Sequence, residues 1–218
     1  VMAGHETTLP ITLDHMIYHA SSVVRAAKRS LVVVDLPFGS YQGDSKKALS
    51  SSIRIMKESG AHAVKLEGGA EIIESVERIL TAGIPVMGHI GFTPQFKKKF
   101  KLEGQSYKET QNLLKEARSI ENAGAFAVVL ECLTSYAAKK ITNQIKIPTI
   151  GIGSSSYCDG QVLVTDDMLG ISGFYPKFVK KYQNLDRIIE KAVKEYTRDV
   201  KLNKFPSKKH FLNGTKFR

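Results

Sequence analysis

Five short stretches of this chain are apolar almost from end to end, and that pattern limits its fold more than any other feature. They lie at 31–38 (LVVVDLPF), 61–69 (AHAVKLEGG), 84–91 (IPVMGHIG), 125–132 (AFAVVLEC) and 147–153 (IPTIGIG). A strand with one face in water alternates apolar and polar residues, whereas a run apolar throughout suits a parallel sheet covered on both faces. A weaker sixth run, 161–164, leads into Thr165, Asp166 and Asp167. Helix-like stretches separate the runs at 45–58, 70–81, 107–122 and 135–144. Three of them stop at the pairs Ser59-Gly60, Ala82-Gly83 and Ala123-Gly124. Glycine just past a helix takes the left-handed conformation that ends it. Strands alternating with helices at this spacing predict an α/β protein.

The polar residues inside the runs decide between a barrel and an open sheet. Asp35, Lys65, Glu67, His89 and Glu131 all fall near the C-terminal ends of four successive runs. In a (β/α) barrel those ends converge on one mouth, where the active site is built. A dinucleotide-binding sheet would instead carry a Gly-rich turn after its first strand. The Gly-rich turn here, Gly151-Ile152-Gly153-Ser154-Ser155, follows the fifth run and lacks the onward glycine spacing. The pattern therefore predicts a (β/α)8 barrel, of which six strands can be counted.

Charge and cysteine content narrow the function. The net charge is +11, but residues 177–218 hold 13 Lys or Arg against Asp186, Glu190, Glu195 and Asp199, leaving +2 for everything before. No aromatic residues are interleaved with the basic ones at stacking intervals, so nucleic-acid binding is not expected. Leu185, Ile188, Ile189, Ala192, Val193, Tyr196 and Val200 share one helical face, which predicts a docked helix with a basic outer side. Lys97, Lys98, Lys99 and Lys101 form a second basic cluster, expected on a mobile loop that meets an anionic ligand. Two cysteines among 218 residues make no disulfide framework, so a reducing cytoplasm is the expected setting. No apolar run reaches the ~18 residues of a membrane helix. The expected organisation is one barrel domain over 1–218, with a C-terminal helix at 183–202 and a basic tail at 203–218.

Each site residue has a structural alternative: Asp35 capping a loop, Lys65 and Glu67 as a simple ion pair, His89 as a hydrogen-bonded core residue. Glu131, after Val128-Val129-Leu130, is the hardest to explain so, because a buried carboxylate needs partners. Cys132 reads as a packed side chain rather than a nucleophile. Together, three carboxylates, a lysine and a histidine suit a hard cation with oxygen ligands beside an acid–base pair, and magnesium uses few protein carboxylates. A divalent ion beside a lysine suits an α-keto acid, whose carboxylate and ketone chelate the metal. The polarised ketone makes the neighbouring carbon acidic, which is the start of carbon–carbon bond chemistry.

Several motifs then carry a resemblance to a known family. Gly4-His5-Glu6-Thr7-Thr8-Leu9-Pro10, Asp35-Leu36-Pro37-Phe38, Val64-Lys65-Leu66-Glu67-Gly68-Gly69 and Gly88-His89-Ile90-Gly91-Phe92-Thr93-Pro94-Gln95 resemble ketopantoate hydroxymethyltransferases. So do Leu130-Glu131-Cys132, the 147–153 run and Cys158-Asp159-Gly160-Gln161-Val162-Leu163-Val164. The likeness runs from the first residue to about Pro206. It implies a (β/α)8 barrel of the phosphoenolpyruvate/pyruvate type, a homo-oligomer (commonly a decamer) and no membrane association. It also implies magnesium, with 5,10-methylenetetrahydrofolate as the donor to 3-methyl-2-oxobutanoate in the first step of pantothenate synthesis. By motif, Asp35 binds metal and keto acid, Glu67 serves the metal, Lys65 meets the substrate carboxylate, His89 is a substrate-side polar group, and Glu131 is the catalytic base.

The chain also departs from the family. Two opening strands, the second ending in Gly-Asp-Ser, are expected before Val1. The loop after Gln95 is short, Glu103-Gly104-Gln105 replaces a Gln-Gly-Arg or Gln-Gly-Lys pattern, and Ser155 stands where glycine is frequent. Two other readings stay open: a metal-dependent carbon–carbon lyase on the same barrel, and an inactive barrel fragment serving in assembly or binding.

Overall fold

The structure is a computed structural model that describes residues 4–97 and 99–212; Lys98 and the end of the expected basic tail, 213–218, lie outside the described residues. The chain divides into two compact units, Val1–Val162 and Leu163–Arg218.

The first unit opens with α1 (Leu13–Ala26), which the apolar-run pattern did not reveal. Its start is marked by Thr12, whose hydroxyl accepts from His15 N–H while the His15 ring accepts from Thr12 N–H. Ile17 and Ala20 form its buried stripe. Then come β1 (Val33–Asp35), α2 (Ser45–Ser59), β2 (Ala63–Glu67), a 3-10 turn (Ala70–Ile72) running into α3 (Ile73–Thr81), and β3 (Val86–Gly91). After these follow α4 (Tyr107–Asn122), β4 (Ala127–Glu131), α5 (Ser135–Thr142), β5 (Thr149–Ile152) and β6 (Gly160–Gln161). All five neighbouring strand pairs are parallel, and the order in the sheet is the order in the sequence. That is the winding of a (β/α) barrel, with six strands among the described residues.

Short polar side chains cap the helix starts. Asp44 accepts from the N–H groups of Lys46 and Lys47 at the start of α2, and Ser106 accepts from Glu109 N–H at the start of α4. Gly60, Gly83 and Gly124, the three predicted helix stops, all have positive φ. Two hydrophobic clusters cover the sheet. One gathers Ile17, Leu36, Ile55, Leu66, Val76 and Ile79, and the other Leu114, Ile120, Val128, Leu130 and Ile141.

In the second unit, α6 (Thr165–Leu169) and α7 (Leu185–Lys201) follow one another. On α7, Ile188, Ile189, Val193 and Tyr196 are each more than half exposed. Among the described residues no helix is long and apolar enough to cross a membrane.

Candidate active site at the strand ends

Strand register brings the predicted residues together. Asp35 pairs with Lys65 across β1 and β2, Glu67 with His89 across β2 and β3, and Gly91 with Glu131 across β3 and β4. Gly91 could not be another residue. Its φ is +97°, and a Cβ there would lie 2.2 Å from the Glu131 carbonyl oxygen. The close approach lets β3 and β4 finish side by side.

A polar chain runs along these ends. Asp35 Oδ1 lies 2.8 Å from Lys65 Nζ, which lies 2.9 Å from His89 Nδ1. His89 Nε2 is 3.1 Å from the Phe92 carbonyl oxygen and 3.2 Å from Glu131 Oε2. An ammonium has only protons to give, so His89 Nδ1 accepts and the ring's own proton sits on Nε2, facing two acceptors. Burial, and then the Lys65 charge, hold the His89 pKa well below the usual histidine value.

Glu67 stands beside this chain on its own supports. Its Oε2 accepts from Gln95 N–H at 3.0 Å, and its main-chain N–H and C=O both meet the Tyr41 hydroxyl at 3.1 Å. Gln95 also donates to the Leu36 carbonyl and accepts from Gln42. Sequence reasoning missed these supporting residues. Gln95 closes the quoted Gly88–Gln95 motif without a role assigned, while Tyr41 lies in a loop whose path no local pattern reveals.

The electrostatics show an excess of negative charge. Burial raises the Glu67 pKa, Lys65 lowers it and Asp35 raises it. Glu131 is pushed up to about 7, chiefly by burial, with Lys65 opposing and Glu67 and Asp35 reinforcing the rise. Three carboxylates thus face one ammonium, an arrangement that a bound cation would relieve. Among the described residues no three His, Cys, Asp or Glu side chains are gathered as a ready-made metal shell. Magnesium needs none, since it is commonly held by one or two carboxylates with waters and substrate oxygens completing its sphere. Asp35 and Glu67 fit that use.

Two neighbours have other tasks. Cys132, at φ +56°, makes the turn directly after Glu131, and burial pushes its thiol up to about 12, so it remains a thiol at neutral pH. Lys97, one of the loop lysines expected to meet an anion, donates to the Gly91 carbonyl and pairs with Glu103, both at 2.8 Å. Glu103 in turn bonds through its main chain to Cys132 and Thr134. The segment after β3 is therefore strapped across the ends of β3 and β4.

A family model described as ketopantoate hydroxymethyltransferase matches residues 1–208. A 3-methyl-2-oxobutanoate hydroxymethyltransferase from Flavobacterium johnsoniae is 59% identical over 211 residues, covering 95% of this chain and 78% of that protein. One from Salinibacter ruber is 56% identical over 210 residues, covering 94% and 79%. Among solved structures, a candidate phosphonomutase from Burkholderia cenocepacia shares the fold at 14% identity. Its TM-score is 0.56 over 89% of this chain and 77% of that one. A candidate lyase/mutase from the same organism matches at 16% identity with a TM-score of 0.50, over 98% and 82%.

Proposed function

The chain belongs to the ketopantoate hydroxymethyltransferase family, and from that premise we propose that it transfers a hydroxymethyl group from 5,10-methylenetetrahydrofolate to 3-methyl-2-oxobutanoate, giving 2-dehydropantoate. The observation that carries the reading is the placement of Glu131, a mostly buried carboxylate with its pKa near 7, at the end of the polar chain through His89 and Lys65. A base poised near neutrality both accepts and returns a proton readily.

Asp35 and Glu67 would hold magnesium, which supplies Lewis-acid polarisation of a carbonyl when bound. Lys65 uses two of its three N–H groups on Asp35 and His89 among the described residues, and offers the third to the substrate carboxylate. Glu131 then takes the proton from C3 of the keto acid, and the carbon left electron-rich bonds to the methylene carbon of the folate; the two C–N bonds of that carbon break, one water supplies the hydroxyl, and tetrahydrofolate leaves. Family membership supports a cytoplasmic homo-oligomer, a decamer by resemblance, working in pantothenate synthesis.

Two variants test the cation site. Asp35→Ala and Glu67→Ala should each weaken magnesium binding by about tenfold or more, because a hard ion loses an anionic oxygen. Calorimetric titration with magnesium, alongside an assay for 2-dehydropantoate, reads this directly. Unchanged magnesium affinity in both variants refutes the assignment.

A further inference from the structure

Resting on the proposed role of Lys65 toward the substrate carboxylate, we infer that His89 is the positioning residue for that ammonium: its bare Nδ1 fixes Lys65 Nζ, and its Nε2–H anchors the ring to the Phe92 carbonyl. Both ring nitrogens are engaged by protein atoms, at 2.9 and 3.1 Å, and the residue is only 3% exposed. Neither nitrogen is left for a substrate. Lysine differs, being a point charge on a flexible four-carbon stem that can meet a carboxylate from many directions. Such a stem recognises one direction only if something holds it.

Asp35 is the other partner of Lys65, but its carboxylate is shared with the proposed cation site. His89 Nδ1 has no such second partner, so its hold on Lys65 persists whether or not Asp35 turns away. The ring itself cannot swing. It projects from β3, is buried, and is held at both of its nitrogens. On the far side, Nε2–H meets the carbonyl of Phe92, whose N–H is bonded to the Glu131 carbonyl. The device is a rigid acceptor built into a strand and aimed at a mobile cation.

Two near-isosteres separate the ring's two bonds. Asparagine can place an amide oxygen near Nδ1, keeping the acceptor for Lys65. Glutamine can place an amide N–H near Nε2, keeping the bond to Phe92 and removing the acceptor. His89→Asn should bind 3-methyl-2-oxobutanoate within about threefold of the parent, whereas His89→Gln should bind it about 10–100-fold more weakly. In His89→Gln, which keeps an N–H toward Phe92 and Glu131, the larger change should be a rise in KM for the keto acid, with the smaller change in kcat for proton exchange at C3. Nitrogen-detected NMR of the parent ring supplies a check independent of both variants. It should show the proton on Nε2, and a shift of the bare Nδ1 signal in Lys65→Met. Equal binding losses in the two His89 variants, no loss in His89→Gln, or a proton on Nδ1 each overturn the inference. If Lys65→Met itself binds the keto acid normally, the role of Lys65 fails. If Lys65→Met loses binding while His89→Gln keeps it, only the positioning role fails.

Discussion

The strands that carry the site are apolar where they begin and ionisable where they stop, and different forces hold the two ends. At the beginnings, Val34, Val64, Val86 and Val128 are buried under hydrocarbon from both hydrophobic clusters. Stabilisation there follows area, at about 25 cal/mol per Å² removed from water, and one well-packed hydrocarbon can replace another. At the ends, Asp35, Lys65, Glu67, His89 and Glu131 each depend on a named atom about 3 Å away. Burying those groups opposes folding, and the raised pKa of Glu131 is its visible sign. The beginnings make the sheet stable; the ends lower that stability and hold the residues proposed to carry the chemistry. Substitutions at the two ends should therefore fail in different ways.

The largest effect is expected at Glu131. Glu131→Gln keeps the shape and loses the base, so exchange of the C3 proton of the keto acid should fall by about 10²–10⁴-fold. In the parent, exchange should rise with pH through about 7, as the carboxylate forms. Stability should move the other way. The folded state holds the proton above the pH at which an ordinary glutamate releases it. Protein stability should therefore fall between the usual glutamate value and about pH 7, then level off. Glu131→Gln should flatten that slope and be the more stable protein above pH 7. A steeper slope in the variant, or retained exchange, would break the contrast between the two ends.

Next comes a substitution on the apolar side. Ile79 is fully buried at the end of α3, beside the entry to β3, where Ile84 N–H bonds to its carbonyl. Ile79→Ala should cost about 2–5 kcal/mol, seen as a lower urea midpoint, through lost burial and the cavity left behind. Keto acid and magnesium affinities of the folded fraction should stay as in the parent. Altered affinity would mean that the strand beginnings tune the site.

The same contrast explains what could be read from sequence. Continuous apolar runs revealed β1 to β5 because burial on both faces leaves no other composition, and helix-stop glycines marked where the next strand begins. Helix α1 escaped because its apolar stripe is short and polar residues such as His15, His19 and Ser21 interrupt it. The sixth run was displaced: β6 is Gly160–Gln161, while Val162 and Val164 are exposed. An ionisable residue inside an apolar run stands out, so the gathering of Asp35, Lys65, Glu67, His89 and Glu131 at the strand ends was legible. Their supports were not. Gln95 and Tyr41 reach Glu67 from loops, 28 and 26 residues away in sequence, and only the folded geometry joins them.

Tyr41 lies where the two regimes meet, and the smallest effect is expected there. Strand β1 leaves β2 after the bond from Leu36 N–H to the Lys65 carbonyl. A parallel ladder carried one step further would join Glu67 N–H to the Leu36 carbonyl. Instead the Tyr41 hydroxyl accepts from Glu67 N–H and donates to Glu67 C=O, and the Gln95 side chain satisfies Leu36. The phenol thus stands in for the strand that has turned away, and fixes the backbone from which the Glu67 carboxylate projects. Tyr41→Phe keeps the buried ring and leaves two main-chain groups short of a partner, which should cost about 1–3 kcal/mol. It should also loosen Glu67, lowering magnesium affinity by a few-fold at an unchanged Glu67 side chain. Unfolding curves and magnesium titration on the same sample measure both. Because Ile79→Ala should lose stability alone and Glu131→Gln chemistry alone, a Tyr41→Phe protein that loses only one of the two refutes the bracing role given to this hydroxyl.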